Sequence, residues 1–145
     1  MKLLKKWSVL FVCVCLLIFG CSCGQKQEHK ADENTVVIRP SDEVLLIESD
    51  TTLMDYLFAM QEKDMIELVV ENGMILSVGG IENETTGLNS MNCWMLYTSD
   101  PDNSNAAFGV LEYDGEKYAS ASWGAESLVI KKEFVYILAY HEVTW

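Results

Sequence analysis

The chain has 145 residues, enough for one domain around one hydrophobic core. Its 22 acidic and 10 basic residues leave a formal net charge of −12, which repels polyanions, and no segment gathers the lysines with Arg39, so nucleic acid is not an expected partner. The five cysteines do not form the spaced set of a disulfide framework, and the first two, Cys13 and Cys15, fall inside an apolar run.

That run, residues 7–20, follows Lys2, Lys5 and Lys6 and is shorter than the about 20 apolar residues a membrane-spanning helix needs. It ends in Ile18-Phe19-Gly20-Cys21, which resembles the lipobox of a bacterial lipoprotein signal, a small residue standing directly before a cysteine. The resemblance implies that residues 1–20 are removed, that Cys21 is lipid-modified, and that the protein is held at the extracytoplasmic face of a cell membrane. Loss of the three lysines takes the net charge from −12 to −15. An uncleaved signal anchor and modification at Cys23 are the other readings, since Phe19 is bulky for its place. A bridge between Cys23 and Cys93 is open to an exported protein, with Cys93 as a small buried apolar residue the simpler assignment.

Residues 21–34 offer almost nothing to bury and read as a flexible tether, with His29 a solubilising residue in it. Order is expected from Thr35, giving a domain over residues 35–145. The β-rich Thr35-Val36-Val37-Ile38 stops at Pro40-Ser41-Asp42, and a second apolar run, Val44-Leu45-Leu46-Ile47, follows. Thr52 and Asp55 approximate a capping box, and Leu53, Tyr56, Leu57 and Met60 make one apolar stripe; this is the principal helix, ending near 61–64 with its stripe in the core.

Two hairpins are predicted. Residues 65–70 and 74–78 flank Asn72-Gly73, and residues 110–113 and 117–122 flank Asp114-Gly115, dipeptides suited to the positive φ of type I′ turns. Gly79-Gly80 ends the first, and the polar residues 82–92 read as a loop. Residues 93–98 (Cys-Trp-Met-Leu-Tyr-Thr) read as a central strand. Leu128-Val129-Ile130 and residues 134–140 close the chain around the turn Lys131-Lys132-Glu133. Phe134, Tyr136, Leu138 and Tyr140 alternate with Val135, Ile137 and Ala139, so the last strand is apolar on both faces and belongs inside a sheet. The expected class is α+β, one principal helix packed on a mostly antiparallel sheet with several β-hairpins.

The order strand, strand, helix at 52–57, Asn72-Gly73 with residues 74–81, the tryptophan strand 93–97, Trp123-Gly124-Ala125 and the closing strand 128–140 resembles an uncharacterised bacterial domain family. That family is similar to the C-terminal domain of transcobalamin, of the soluble-ligand-binding β-grasp type. The resemblance covers residues 35 to 141 and implies a β-grasp-like fold and non-catalytic binding of a soluble ligand such as a corrinoid. It carries no catalytic motif and no matched cobalamin contact. The acidic insertion 98–105 and the turn at Lys132-Glu133 depart from the family's pattern.

Aromatic side chains are the local hint of binding. Trp94, Tyr97, Tyr113, Tyr118 and Trp123 lie on or beside neighbouring strands, and flat amphipathic rings make good platforms. Trp123, beside Gly124 in a loop, is the preferred ligand contact, with Tyr97 and Trp94 as further candidates. Core packing is the competing role, and the stronger one for Trp94. Asp100, Asp102 and Ser104 occupy the first, third and fifth places of a calcium loop, but Asn105 stands where glycine belongs and Leu111 where an acid belongs, so a solvated turn is expected. Glu67, Glu71, Glu82 and Glu84 are likewise assigned to solvent. With no His-Glu-x-x-His, Cys-x-x-Cys, nucleophile elbow or phosphate loop, and with only His29 and His141 as imidazoles, neither catalysis nor a cofactor is expected. A protein or cell-wall interaction module, docking an envelope protein or wall polymer by a sheet edge or loop, is the alternative to ligand binding.

Overall fold

The computed structural model describes residues 27–145. The apolar run 7–20, Cys21 and Cys23 lie outside the described residues. Among those residues the elements are β1 (Glu28–Lys30), β2 (Thr35–Ile38), α1 (Leu53–Glu62), β3 (Leu68–Glu71), β4 (Met74–Val78), β5 (Ile81–Glu82), β6 (Glu84–Gly87), β7 (Ser90–Thr98), a 3-10 turn (Ala106–Phe108), β8 (Val110–Tyr113), β9 (Glu116–Ser120) and β10 (Tyr136–Thr144). The class is mixed α+β, with one α-helix and two sheets.

The larger sheet runs β1-β8-β9-β7-β10-β2, with β6 also on β7. The long pair at its centre, β7 with β10, is antiparallel from Tyr136 opposite Thr98 to Thr144 opposite Ser90. The sheet curls and brings His29 of the terminal strand β1 into a ring stack on His141 of β10. The smaller sheet is β3-β4-β5. Both predicted type I′ turns form: φ is 50° and 76° at Asn72 and Gly73, and 51° and 77° at Asp114 and Gly115.

Helix α1 begins where the sequence places its cap. Thr52 accepts from Asp55 N at 3.2 Å, and the Asp55 carboxylate accepts from Thr52 N at 2.9 Å. The first helical amides, Leu53 N and Met54 N, donate to Leu128 O at 2.8 Å and Ala125 O at 3.0 Å. The loop 123–128 therefore sits on the start of the helix and satisfies amides that a helix leaves open. Leu53, Tyr56, Leu57 and Met60 are buried, as the stripe requires.

The β7–β10 pair separates two cores. Leu138, Tyr136 and Ile38 face α1, Leu128 and Ile130, with Trp94 and Leu96 packed against them. Tyr97, Ile137 and Ala139 face the other way, onto Leu111 and Tyr118. The alternation expected for residues 134–140 is thus realised on both faces.

Four expectations are corrected. Order begins ahead of Thr35: β1 pairs with β8, Glu28 opposite Val110 and Lys30 opposite Glu112, and this pairing is parallel, so the sheet is mixed. The polar stretch 82–92 is not a loop but holds β6 and the start of β7, an outer hairpin with no face to bury. Residues 44–47 are turn and coil, their apolar side chains Val44, Leu45 and Ile47 packing on the core without a partner strand. Asp100 is not solvated but fully buried; its carboxylate accepts from Asp102 N at 3.0 Å and Asn103 Nδ2 at 2.8 Å and lies 3.5 Å from Lys131 Nζ, so it pins the turn after β7.

Candidate functional site

The two sheets meet where the chain crosses between them, at Asn83. β5 belongs to the small sheet and β6 to the large one, and Asn83 alone separates them. Its side chain is bonded to both: Nδ2 donates to Ile75 O of β4 at 3.0 Å, and Oδ1 accepts from Trp94 N of β7 at 3.1 Å. Beside it Trp94 Nε1 donates to Ile81 O at 2.9 Å, and Tyr140 OH donates to Glu82 O at 2.8 Å. These four bonds hold the sheets together at one edge and leave them apart further on.

The opening is a cleft of about 290 Å³. Met74 and Ile75 of β4 form one wall, Met91, Trp94 and Leu96 of β7 the other, with Leu138 behind them. Gly124 and Ala125 close one side, held there by the helix start through the Met54 N to Ala125 O bond. At Gly73 the Glu126 carboxylate lies close over the turn, and the positive φ of 76° is what favours glycine there. Asn83 is the one polar side chain in an otherwise apolar lining. Cys93 also borders the cleft; its thiol is free, and burial pushes its pKa up, away from the reactive thiolate.

The three predicted contact residues are not brought together. Trp94 is half-buried, lines the cleft, and lies 5.4 Å ring to ring from Tyr140. Trp123 is 58% exposed and adjoins Gly124 at the rim without lining the cleft itself. Tyr97 is only 1% exposed and points into the opposite core, so it offers no surface to a ligand. Tyr113 and Tyr118 pack edge to face there as well, 6.4 Å apart. The cleft residues that sequence reasoning missed are Asn83, Met74 and Met91. A polar residue between two runs of glycine-bounded strand marked Asn83 only as loop.

On the far side of β7, the two histidines form a second cluster. Their rings stack at 3.7 Å, 19° from parallel, and His141 Nε2 is 2.6 Å from Tyr97 OH. His141 Nδ1 lies 3.2 Å from Glu142 O, which can only accept, so Nδ1 carries the proton and Nε2 accepts from the tyrosine. Burial lowers the pKa of both histidines, and His29 lowers that of His141 further. The same burial holds the Tyr97 phenol well above the usual tyrosine range. His29 is thus a half-buried element of the sheet's closure rather than a solubilising residue. The arrangement packs β1 against β10, and the hollow beside it, about 270 Å³, is lined by His29 and Val110 together with the charged Glu28, Lys30, Glu112 and Lys117.

Comparisons with family models, with curated proteins and with solved structures return no match.

Proposed function

We propose that the chain is a membrane-anchored lipoprotein whose exported domain binds a small soluble ligand, or the apolar part of a larger one, without catalysis. The anchor rests on Lys2, Lys5, Lys6, the short apolar run and Gly20-Cys21. The binding reading rests on one observation: an apolar cleft of about 290 Å³ with a single polar side chain, Asn83, at the junction of two sheets. Ligand pockets typically run from about 300 to 1,000 Å³ with few polar groups, so this one suits a short acyl chain, a ring or an apolar side chain. A β-grasp-like domain of the transcobalamin type agrees with soluble-ligand binding. A corrinoid would present only an edge or an appended group to a cleft of this size. Trp123 at the rim is the side chain that would cover whatever enters.

The test is thermal melting of the chain from Gly24 onward against corrinoids, haem, oligosaccharides, wall fragments, short fatty acids and calcium. A ligand confined to the folded state adds about 2.7 kcal/mol at 100 times its Kd, a shift of several degrees for a domain of this size. Trp123→Ala weakens binding while leaving the melting point of the free domain near its original value. A filled cleft, Ile75→Trp, abolishes it. A panel without any shift removes the ligand reading and leaves the interaction module, for which β3 is the docking edge: it pairs on one side only, with β4, and exposes Val69.

A further inference from the structure

Among the described residues nine large apolar side chains are exposed, and the three most exposed of them lie together. Leu88 is 99% exposed, Trp145 68% and Phe108 65%. They come from three distant parts of the chain, the β6–β7 turn, the end of β10 and the 3-10 turn before β8. Hydrogen bonds draw these parts to one end of the molecule, the end at which the described chain begins. Val110 N donates to Gln27 O at 3.0 Å, Gln27 Nε2 donates to Thr144 Oγ1 at 3.2 Å, and Trp145 N donates to Asn89 O at 3.0 Å.

That end is also poor in charge, in a chain of net −12. No Asp, Glu, Lys or Arg occurs from Thr85 to Ser99, from Asn103 to Leu111, or from Val143 to Trp145. Of the acids nearest to it, Glu28 pairs with Lys117 at 2.8 Å and Glu142 accepts from the Thr86 hydroxyl at 2.8 Å, while Glu84 stands exposed on β6 opposite Asn92. Many of the other acidic side chains lie elsewhere in the fold, on α1, in the loop 41–50, at the β3–β4 and β8–β9 turns, and at Asp100, Asp102, Glu126 and Glu133. An acidic domain approaching a membrane meets least repulsion with this end forward.

We infer that Leu88, Phe108 and Trp145 form a contact surface for the bilayer that holds Cys21, their side chains entering the headgroup region. The inference rests on the lipid-anchor reading above. Gln27 is six residues beyond Cys21, a reach of at most roughly 20 Å even when fully extended, so the surface and the membrane are kept close. Tryptophan is enriched at the level of lipid headgroups, its amphipathic ring suited to the interface. Shallow contact of three apolar side chains would add to the hold of the lipid chains, which anchor stably when more than one signal acts. It would also fix which way the cleft faces, a property that a lipid anchor on a freely swivelling chain does not supply.

The experiment uses the full chain, expressed with its first 20 residues so that processing takes place, then reconstituted into phosphatidylcholine–phosphatidylglycerol vesicles with brominated acyl chains. The Trp145 contribution is taken as the difference in tryptophan emission between the protein and its Trp145→Phe variant. The expected result is that bromine near the headgroup quenches most of this contribution, and that a Leu88→Ser, Phe108→Ser double variant, which keeps Trp145, loses the quenching while staying on the vesicle. Mass spectrometry of the mature N-terminus accompanies it. Lipid-modified Cys21 with unquenched Trp145 overturns the contact surface alone; an unmodified Cys21 overturns the anchor and the contact surface together.

Discussion

The two faces of the β7–β10 pair are built from the same two strands and end up unlike each other. On one face a separate layer, α1 with the small sheet, covers the strands, and the layers are joined at one edge by Asn83, Trp94 and Tyr140. On the other face the sheet covers itself by curling until β1 meets β10, and Tyr97, Tyr118 and the two histidines fill what remains. Where two independent layers meet, a gap can persist without breaking a backbone ladder. A sheet that closes on itself brings its own side chains together, and the hollow beside its closing strand is walled mostly by charged side chains, Glu28, Lys30, Glu112 and Lys117, rather than by apolar ones.

The sharpest way to break this comparison is to remove volume from each face. Ile137→Ala, in the closed core, is expected to cost about 2–5 kcal/mol by denaturant unfolding, because a fully buried side chain leaves a cavity among packed neighbours. Leu96→Ala, at the cleft, should cost less, since its side chain already borders open space. Equal losses would mean that the faces do not differ in packing. Next in size is Asn83→Ala, which strips partners from Trp94 N and Ile75 O and is expected to cost about 1–3 kcal/mol. Hydrogen exchange should then rise at both amide ladders flanking the junction.

Between pH 7 and pH 5 acid should act chiefly on the closed face. His29 and His141 are harder to protonate folded than unfolded, so the unfolded chain takes up more protons as pH falls below the ordinary histidine pKa of about 6.5. Stability is therefore full at neutral pH and declines from about 6.5 downward as the stacked pair is driven toward two like charges; Asp32 nearby offsets part of this at His141. His29→Phe keeps a ring in the stack and should make the decline shallower in melts between pH 7 and pH 5. An unchanged slope would mean that the stack does not carry it. The smallest effect belongs to Thr52→Ala, about 1 kcal/mol of helix stability, because it removes the capping box while Leu53 and Met54 keep their partners in loop 123–128.

Much of the cleft-side architecture was legible because its signals are local. Thr52 and Asp55 announce the helix within one turn, Asn72-Gly73 and Asp114-Gly115 announce their hairpins, and the two apolar faces of residues 134–140 place β10 inside the sheet. β1 was not legible: Glu28-His29-Lys30 has no apolar pattern, and it is held by a parallel ladder to residues more than 80 positions away and by one ring stack. β6 was hidden for the related reason that an outer strand exposed on both faces has no periodicity to show. Of the site, the aromatic strand 93–98 indicated Trp94, and the same alternation that made Trp94 a wall of the cleft turned Tyr97 away from it. Asn83 and the methionines had no signal of their own, since a cleft between sheets is a property of how two layers meet.

The short parallel strand β1 also determines how the domain answers a pull. Tension on the chain ahead of Gln27 reaches β1 before any other described element, and β1 is three residues long, whereas β10 is bonded along nine residues to β7. The first event under load is therefore loss of β1 from β8, which converts residues 28–34 into free length, roughly 24 Å when extended. The domain beyond Thr35 keeps its central ladder while this segment gives way and can dock again when the load falls. β1 would serve as a mechanical fuse with a built-in reserve of slack.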